Sequence, residues 1–279
     1  MRSLRAALRL TSIVWLMMSL CLTVTCIAFV WRSERQHRRK LQFILRAMQT
    51  HLAWIAAVAG LKLEVRGDPA WPKESFLLIA NHVSYWDIVA ISALCPTAFV
   101  AKSEIARWPL VGFLVSQCQT LFVERNTGEG RLRGLLDLRR RLAHCPVCIF
   151  PEGTTSVRTS PVWEQWYRGQ ISVLKNPGVR VLTLALHYED QDQCAWVDDD
   201  ALIPHLWRCL LRSEMKLKIQ VQELEASVAA GARLGPYARL AFEQTAALCQ
   251  ELSSRGGRET SPIGASVANF SIASRLTQK

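Results

Sequence analysis

The longest apolar stretch of the chain lies at residues 11–31, TSIVWLMMSLCLTVTCIAFVW, and contains no charged side chain. A helix of this length, rising about 1.5 Å per residue, crosses a hydrocarbon core of about 30 Å. A secretory signal peptide would have a shorter apolar core followed by a small-residue cleavage site, whereas a basic cluster follows here. The pattern therefore predicts a retained membrane anchor.

A second apolar pattern follows, with the period of a helix. One face of that helix carries Leu41, Ile44, Leu45, Met48, Leu52, Ile55 and Ala59, and the opposite face carries Gln42, Arg46, Gln49 and Thr50. Such an apolar face either lies in a membrane interface or packs onto a folded domain, and both uses bury the same side chains. The segment LAWIAAVAGL inside it is too short for a second span.

Beyond Gly60 the pattern changes to short β-rich runs, separated mostly by stretches of helical length. The runs are LKLEVR, FLLIAN, AFVAK, TLFVE, VCIFP, VLTLALH and MKLKIQVQ. This alternation predicts an α/β fold, in which N-terminal membrane-associated helices precede a mixed, largely parallel sheet flanked by helices. The uniformly apolar VCIF is typical of a central strand, and the alternating LKIQVQ is typical of an edge or half-exposed strand.

These changes of pattern divide the chain into three parts. We predict a membrane anchor with an amphipathic helix at residues 1–60 and one catalytic domain at residues 61–252. From residue 253 to 279 the chain is rich in Ser, Gly and Thr and loses its periodicity, which predicts a disordered tail.

The charge of the chain adds a partner class to this picture. The 279 residues carry a formal net charge of +11, which suits nucleic acid, an anionic membrane surface, or an acidic substrate such as a phosphorylated lipid or coenzyme A. No recognised nucleic-acid motif accompanies the charge, so we predict no nucleic-acid partner. Arg32, Arg35, Arg38, Arg39 and Lys40 follow the anchor, against Arg2, Arg5 and Arg9 before it. This asymmetry predicts a catalytic domain on the cytoplasmic face of the membrane.

The nine cysteines are scattered along the chain and predict reduced, cytosol-facing thiols rather than a disulfide framework. Cys145 and Cys148 are the one close pair, and no second pair with zinc spacing accompanies them. We interpret them as buried strand cysteines and predict no metal site.

The candidate chemistry begins where an apolar run is interrupted by NHVSYWD. His82 and Asp87 are five residues apart and on a continuous helix would be rotated by about 140°, so they meet only across a turn. A strand, a polar loop through Asn81 and Ser84, and a helix that starts near Asp87 would supply that turn. An aspartate that holds one imidazole nitrogen leaves the other free to take a proton from a hydroxyl group. A helix cap and an unrelated loop histidine would give the same spacing.

Two further sequence blocks downstream of this motif favour a functional role of His82 and Asp87 more strongly than the motif alone does. NHVSYWD, KSEI followed by LFVER, and FPEGT occur in this order, and over about residues 60–225 the chain resembles the glycerolipid acyltransferases of the lysophosphatidate acyltransferase type. The resemblance implies that His82 is the general base and Asp87 its orienting partner. It also implies that acyl-CoA or acyl-carrier protein is the co-substrate, that no other cofactor is used, and that no covalent acyl-enzyme forms.

The resemblance further implies a set of residues that hold the acceptor, a lysophospholipid drawn from the membrane. Arg125, Glu152, Gly153 and Thr154 would hold its glycerol and phosphate. An arginine presents a planar fork to phosphate, and a Gly-Thr turn after a strand offers backbone N–H groups and a hydroxyl. Thr155, Asn81 and Lys102 are further candidates for contact with the substrate. A helix-start carboxylate is the structural alternative for Glu152.

The chain departs from the resemblance directly after Glu-Gly-Thr, where many lysophosphatidate acyltransferases carry an arginine and this chain carries Thr155. One charge-assisted phosphate contact is therefore missing. The expected reaction is acylation of 1-acylglycerol-3-phosphate to phosphatidate. A lysophospholipid with an esterified headgroup, or a lyso-ornithine lipid without phosphate, would lose less from Thr155 and remains the alternative acceptor.

Another helix-like segment, RLRGLLDLRRRLAH, carries Arg131, Arg133, Arg139, Arg140 and Arg141 around four leucines. Its charge suits coenzyme A phosphates, an acidic carrier protein or anionic lipid, or it is an ordinary solvated face. Two other functions also stay open, a hydrolase and an inactive lipid-binding scaffold. The first lacks a Gly-x-Ser-x-Gly nucleophile motif, and the second has no need of His82, Asp87 and Glu152 together.

Overall fold

The computed structural model describes residues 1–31, 37–66, 71–107, 112, 115–116, 119–171, 179–197, 200–224 and 234–254. Within these residues the strands are β1 (Leu61–Arg66), β2 (Phe76–Ala80), β3 (Ala98–Lys102), β4 (Leu121–Val123), β5 (Val147–Ile149), β6 (Arg180–Tyr188) and β7 (Met215–Glu223). They form one sheet in the order β1-β7-β6-β2-β5-β3-β4. Each of the seven β-rich runs of the sequence supplies one strand.

All strand pairs are parallel except β6 with β7, which run antiparallel. The predicted mixed, largely parallel α/β sheet is therefore confirmed, and β5 lies inside it between β2 and β3, as its apolar sequence indicated. Of the two positions predicted for LKIQVQ, edge or half-exposed, the structure shows the second, because β7 has β1 on one side and β6 on the other. Its alternation reflects partly exposed side chains, not a missing neighbour.

The helices are α1 (Arg2–Val30), α2 (His37–Ala59), α3 (Trp86–Leu94), α4 (Gly128–Leu142), α5 (Arg168–Ile171), α6 (Gln191–Cys194), α7 (Leu202–Leu211) and α8 (Leu234–Ser254). Short 3₁₀ helices occupy Ser103–Arg107 and Trp163–Gln165. The tail predicted from residue 253 overlaps the last two residues of α8, and the remainder of it lies outside the described residues.

The first two helices form an antiparallel hairpin, with Ser19 hydrogen-bonded to His51 and Trp31 against Phe43. The apolar face predicted for α2 is buried along its whole length, where it packs against α1 and α3. Of the two uses left open for this face, the structure therefore shows packing within the protein. By length and composition α1 is the one described helix apolar enough to cross a membrane.

Two arginines tie the beginning of α1 to the C-terminal end of α7. Arg5 donates to the carbonyl oxygen of Leu211 at 2.8 Å, and Arg9 donates to those of Leu210, Arg212 and Ser213 at 3.2, 2.6 and 2.9 Å. These carbonyl oxygens are left without partners inside a helix and carry its negative dipole end. Arg5 and Arg9 therefore bind within the protein, so they do not count among the free positive charges before the anchor that were used to predict its orientation. On the other side, Arg32 and Arg35 lie outside the described residues.

The helices lie on both faces of the sheet. The crossover from β2 through α3 to β3 and the crossover from β4 through α4 to β5 traverse the sheet in opposite directions. Because such crossovers are right-handed, α3 and α4 lie on opposite faces. The hairpin of α1 and α2 packs with α3, and α7 packs with α1, whereas α5 contacts both α4 and α8. The carboxyl ends of β2, β3, β4 and β5 lie along one edge of the sheet, and the candidate side chains lie there.

Candidate active site

The His-Asp pair is built by the turn between β2 and α3. The strand ends at Ala80, the loop reverses the chain, and Asp87 lies in the first turn of α3. His82 Nδ1 lies 2.9 Å from Asp87 Oδ2, so the two side chains meet across the turn, as the resemblance implied. Asp87 is 0% exposed, and the His82 side chain is 16% exposed. With Nδ1 donating to the carboxylate, Nε2 is the ring nitrogen left to accept a proton.

The Asp87 carboxylate is surrounded by donors. Oδ2 also accepts from the backbone N–H groups of Val83 at 2.7 Å and Ser84 at 2.9 Å. Oδ1 accepts from the hydroxyl of Tyr188 at 2.7 Å. A carboxylate held by donors on both oxygens keeps one orientation, so the carboxylate in turn fixes the His82 ring.

Tyr188 is the site residue that the sequence did not reveal. It is fully buried at the end of β6, next to β2 in the sheet. Burial, and then the neighbouring Asp87 carboxylate, raise the pKa of the Tyr188 hydroxyl well above its usual range, so that it stays protonated and acts as a donor. The one available signal was a tyrosine at the end of an apolar strand, and nothing in the sequence indicated that its hydroxyl contacts Asp87.

Glu152 lies behind the His82 loop. Its Oε2 accepts from the backbone N–H of His82 at 2.9 Å, and the residue is buried. Burial raises the pKa of Glu152 to about 7, against the opposing effect of the His82 N–H. The resemblance assigned Glu152 to the acceptor, but the structure places the carboxylate against the histidine's own backbone, where it positions the loop.

The turn after Glu152 needs a glycine. Gly153 has a φ of +71°, and a Cβ there would lie 2.4 Å from Arg125 Nη1 and 2.8 Å from the Tyr167 ring. This close approach lets Arg125 Nη1 donate to the Gly153 carbonyl at 3.0 Å. The guanidinium also lies over the Tyr167 ring, 5.1 Å from its centre.

Arg125 therefore lies at the same edge of the sheet as His82, held from two sides. Burial lowers the pKa of Arg125, and its Nε has no hydrogen-bond partner among the described residues. The unpaired Nε is itself buried, so a bound acceptor would meet the other N–H groups of this half-buried guanidinium, whose planar arrangement suits an anionic group. Of the second block, residues 108–111, 113–114 and 117–118 lie outside the described residues.

Thr155 and the residue after it join the third block to the first. The Thr155 hydroxyl donates to the Trp196 carbonyl, and the backbone N–H of Ser156 donates to the carbonyl of His82 at 2.9 Å. The backbone N–H of Trp196 donates to the Val83 carbonyl at 3.0 Å. The dyad loop (residues 81–87), the segment after Glu152 and the segment at Trp196 are thus hydrogen-bonded to one another. The Thr155 hydroxyl is thus used within the protein, while Thr154 is exposed at the turn.

The remaining candidates lie elsewhere. Asn81 is buried, and its amide accepts from Leu186 N at 2.8 Å and donates to Leu186 O at 3.0 Å. It extends the pairing of β2 with β6, so that both amide atoms are bonded to the sheet. Lys102 is exposed at the end of β3, on the edge of the sheet that holds the dyad.

Cys145 and Cys148 are buried at β5, as their apolar surroundings predicted, and burial raises the pKa of Cys145 to about 12. Within the residues that the structure describes, no group of His, Cys, Asp or Glu side chains is placed to hold a metal ion.

Comparison with known proteins agrees with this geometry. A protein-family model described as Acyltransferase matches residues 62–187. A lyso-ornithine lipid O-acyltransferase of Pseudomonas aeruginosa is 37% identical over 188 residues, which are 62% of this chain and 67% of the relative. A 1-acyl-sn-glycerol-3-phosphate acyltransferase of Neisseria gonorrhoeae is 32% identical over 173 residues, which are 58% of this chain and 65% of the relative.

The aligned region thus spans about two thirds of the length of these two relatives. The crystal structure of the 1-acyl-sn-glycerophosphate acyltransferase PlsC from Thermotoga maritima superposes with a TM-score of 0.65, covering 94% of this chain and 100% of that one. At 18% identity that likeness bears on the fold alone.

Proposed function

The chain belongs to the glycerolipid acyltransferase family, and on that premise we propose that it is a membrane-bound enzyme that moves an acyl group from a thioester donor to the free hydroxyl of a lysolipid. The observation that carries the proposal is the 2.9 Å contact of His82 Nδ1 with a fully buried carboxylate, which leaves Nε2 for the acceptor.

In the proposed reaction His82 Nε2 takes the proton of the acceptor hydroxyl as its oxygen attacks the thioester carbonyl. A carbon–oxygen bond forms, the carbon–sulfur bond breaks, and the imidazolium returns its proton to the departing thiolate. Asp87 stabilises the imidazolium and holds the ring. General-base catalysis contributes typically about 10² to 10⁴ in rate, and positioning of the two substrates supplies more. No acyl-enzyme and no metal or organic cofactor is needed in this scheme.

For the acceptor we favour a lyso-ornithine lipid. Thr155 stands where the family resemblance leads one to expect an arginine, and its hydroxyl is already bonded to Trp196, so it adds no phosphate contact. The 37% identity to the Pseudomonas relative supports the same acceptor. Arg125 would then bind the carboxylate of the ornithine headgroup.

Lysophosphatidate is the second candidate acceptor. It is favoured by the same Arg125, whose planar guanidinium is equally suited to a phosphate. The 32% identity to the Neisseria relative supports it as well. The donor is acyl-CoA or acyl-carrier protein.

Membrane attachment is assigned to α1. Its outward side chains include Leu4, Leu8, Val14, Trp15, Met18, Leu22 and Phe29, all exposed. Because α1 packs lengthwise on α2, whose own apolar face is buried in the protein, a monotopic attachment fits better than a span. The helix would lie in the membrane interface with the catalytic domain on the cytoplasmic face.

The test is acyl transfer to lysophosphatidate, lyso-ornithine lipid and lysophosphatidylcholine, each from acyl-CoA and from acyl-carrier protein, with His82→Ala as the control. Preference for lyso-ornithine lipid supports the favoured acceptor, and preference for lysophosphatidate selects the second. Full transfer by a folded His82→Ala variant contradicts the mechanism. Thioester cleavage without transfer would indicate a hydrolase, and lysolipid binding without turnover would indicate a scaffold.

A further inference from the structure

The outward face of α4 is both apolar and basic. The helix lies close on β4, because Gly134 leaves no room for a side chain against Val123 and because Leu138 is buried beneath it. On the opposite side Leu132 and Leu136, one turn apart, are 58% and 43% exposed. A single exposed leucine is ordinary on a protein surface. Two leucines four residues apart on a helix are neighbours, and together they form a continuous apolar ridge.

Arginines flank this ridge. Arg131, Arg133, Arg139 and Arg140 are exposed beside the two leucines, and the helix carries five arginines against Glu129 and Asp137. Arg133 pairs with Glu129 at 2.7 Å and Arg140 pairs with Asp137 at 3.2 Å, both in solvent. Surface pairs of this kind contribute little, so they exchange readily for the carboxylates of a partner. We call Leu132, Leu136 and these four arginines the α4 ridge.

The α4 ridge is directly coupled to the active-site edge. Thr127 caps α4 by accepting from Gly130 N at 3.0 Å, and Arg131 donates to the Arg125 carbonyl at 2.9 Å. Arg125 in turn contacts Gly153 beside the dyad. A molecule bound along the N-terminal half of α4 therefore lies next to Arg125 and the Gly153 turn.

The membrane does not account for the α4 ridge. α4 and the α1–α2 hairpin lie on opposite faces of the sheet, so a bilayer that meets the outer side of α1 does not meet the outer side of α4. Coenzyme A does not account for it either, because its phosphates would use the arginines but have no use for two exposed leucines. A soluble, acidic partner with an apolar strip matches both features.

Given the proposed function, we propose that the α4 ridge docks an acidic carrier protein that delivers the acyl group as a thioester. The arginines steer and orient the carrier, and Leu132 and Leu136 pack against apolar side chains among its carboxylates. The carrier's arm then reaches the edge of the sheet where Arg125 and His82 lie, and the lysolipid arrives separately from the membrane. Donor and acceptor thus approach from different sides.

The experiment compares two donors in the full-length, membrane-bound protein. Leu136→Asn and the double variant Arg133→Glu/Arg139→Glu are assayed with acyl-carrier protein and with acyl-CoA, both with the same acceptor. The matched control is Leu240→Asn, since Leu240 is 39% exposed on α8, away from the ridge. Thermal unfolding of each variant checks that the fold is retained.

We expect each ridge variant to lose about tenfold or more in kcat/KM for the carrier-borne donor, mainly through KM. The same variants should change kcat/KM for acyl-CoA by less than about twofold, and Leu240→Asn should leave both donors unaffected. This donor-specific loss is the result that a merely structural helix would not produce.

Four results would overturn the inference. Equal losses for both donors would make the ridge part of the common machinery or of the fold, and no loss for either would make it an ordinary solvated face. Loss of binding to anionic phospholipid vesicles in the double variant would assign the ridge to the membrane. Wild-type turnover with acyl-CoA alone would exclude the carrier and leave the proposed function intact, whereas turnover with neither donor would refute the proposed function itself.

Discussion

The dyad loop and the acceptor rim lie side by side but differ in how their polar atoms are satisfied. In the dyad loop, residues 81–87, Asp87 accepts four hydrogen bonds from the protein, and the backbone of His82 is bonded to Glu152 and Ser156. The acceptor rim consists of Arg125, Thr154, Thr155 and Tyr167. In the rim Arg125 Nε is unpaired, and Thr154 and Tyr167 are exposed.

This difference separates chemistry from recognition. In the proposed mechanism the base and its partner are oriented before any substrate binds, so we expect the chemical step to be the same for different lysolipids. The rim makes fewer hydrogen bonds within the protein, so we expect a change there to alter the preferred headgroup without disturbing the dyad. Relatives named for lyso-ornithine lipid and for 1-acyl-sn-glycerol-3-phosphate within one family are consistent with that division.

The largest expected effect falls inside the dyad loop. His82→Ala and Asp87→Asn should each reduce kcat by about 10² to 10⁴, because one removes the base and the other disturbs its tautomer. The two should differ in stability. Asp87→Asn also breaks a buried network and lowers the unfolding temperature, whereas His82→Ala leaves that temperature nearly unchanged. Steady-state kinetics and thermal unfolding check both, and equal unfolding temperatures would contradict the network.

A smaller effect is expected at Tyr188. Tyr188→Phe removes one donor from Asp87, so kcat should fall about tenfold with KM unchanged. Without that donor the carboxylate holds the histidine proton more tightly, and the acidic limb of the pH–rate profile should move to higher pH.

The matched control for Tyr188 is Tyr85→Phe. Its hydroxyl donates to His205 Nδ1 at 2.9 Å, and His205 Nε2 lies 2.9 Å from the Ala195 carbonyl, so this variant also loses one tyrosine hydrogen bond. A shift of the pH profile in both variants would mean that Tyr188 acts only through stability.

On the acceptor rim the expected change is one of preference. Thr155→Arg restores a cation where many lysophosphatidate acyltransferases carry one, at the cost of the hydroxyl bond to Trp196. We expect the ratio of kcat/KM for lysophosphatidate over lyso-ornithine lipid to rise about fivefold, within the range of one charge-assisted contact. Thr155→Val is the control, since it removes the same hydroxyl without adding charge. An equal change of ratio in both variants would contradict the recognition role.

The smallest effect concerns the pH dependence of stability at Glu152. The pKa of Glu152 is raised to about 7 in the folded protein, whereas its ordinary value is 4.5. Between these two pH values the folded protein therefore holds a proton on Glu152 that the unfolded chain has released. The protonated group contributes stability below about pH 4.5, and that contribution is lost as pH rises to about 7. Glu152→Gln should therefore unfold at a relatively higher temperature than the wild type as the pH is raised from 5 to 8. A constant difference across that range would show that burial does not shift this carboxyl group.

The sequence predicted what depends on neighbours along the chain. The strands follow from runs of apolar residues, and the His82–Asp87 contact was implied by three sequence blocks in order, each of them local. The contacts of Asp87 with Tyr188 and of His82 with Glu152 join residues 101 and 70 positions apart, and no local pattern reports them. Thr155 was interpreted as a missing phosphate contact, and only the folded chain reveals its bond to Trp196. The alternation in β7 correctly indicated a half-exposed strand, but it could not distinguish an edge strand from an internal one because it records exposure and not the number of neighbouring strands.

The arginine contacts between α1 and α7 also set an order of events during synthesis. Arg5 and its acceptor, the Leu211 carbonyl, are 206 residues apart, so α1 leaves the ribosome long before the carbonyl groups that will hold it exist. For most of translation its apolar side has no folded domain to rest on, and the bilayer is the nearest place to bury it. With α1 attached to a membrane as proposed above, we expect the chain to reach it before synthesis is complete and to finish folding the catalytic domain there, the two arginine contacts forming last.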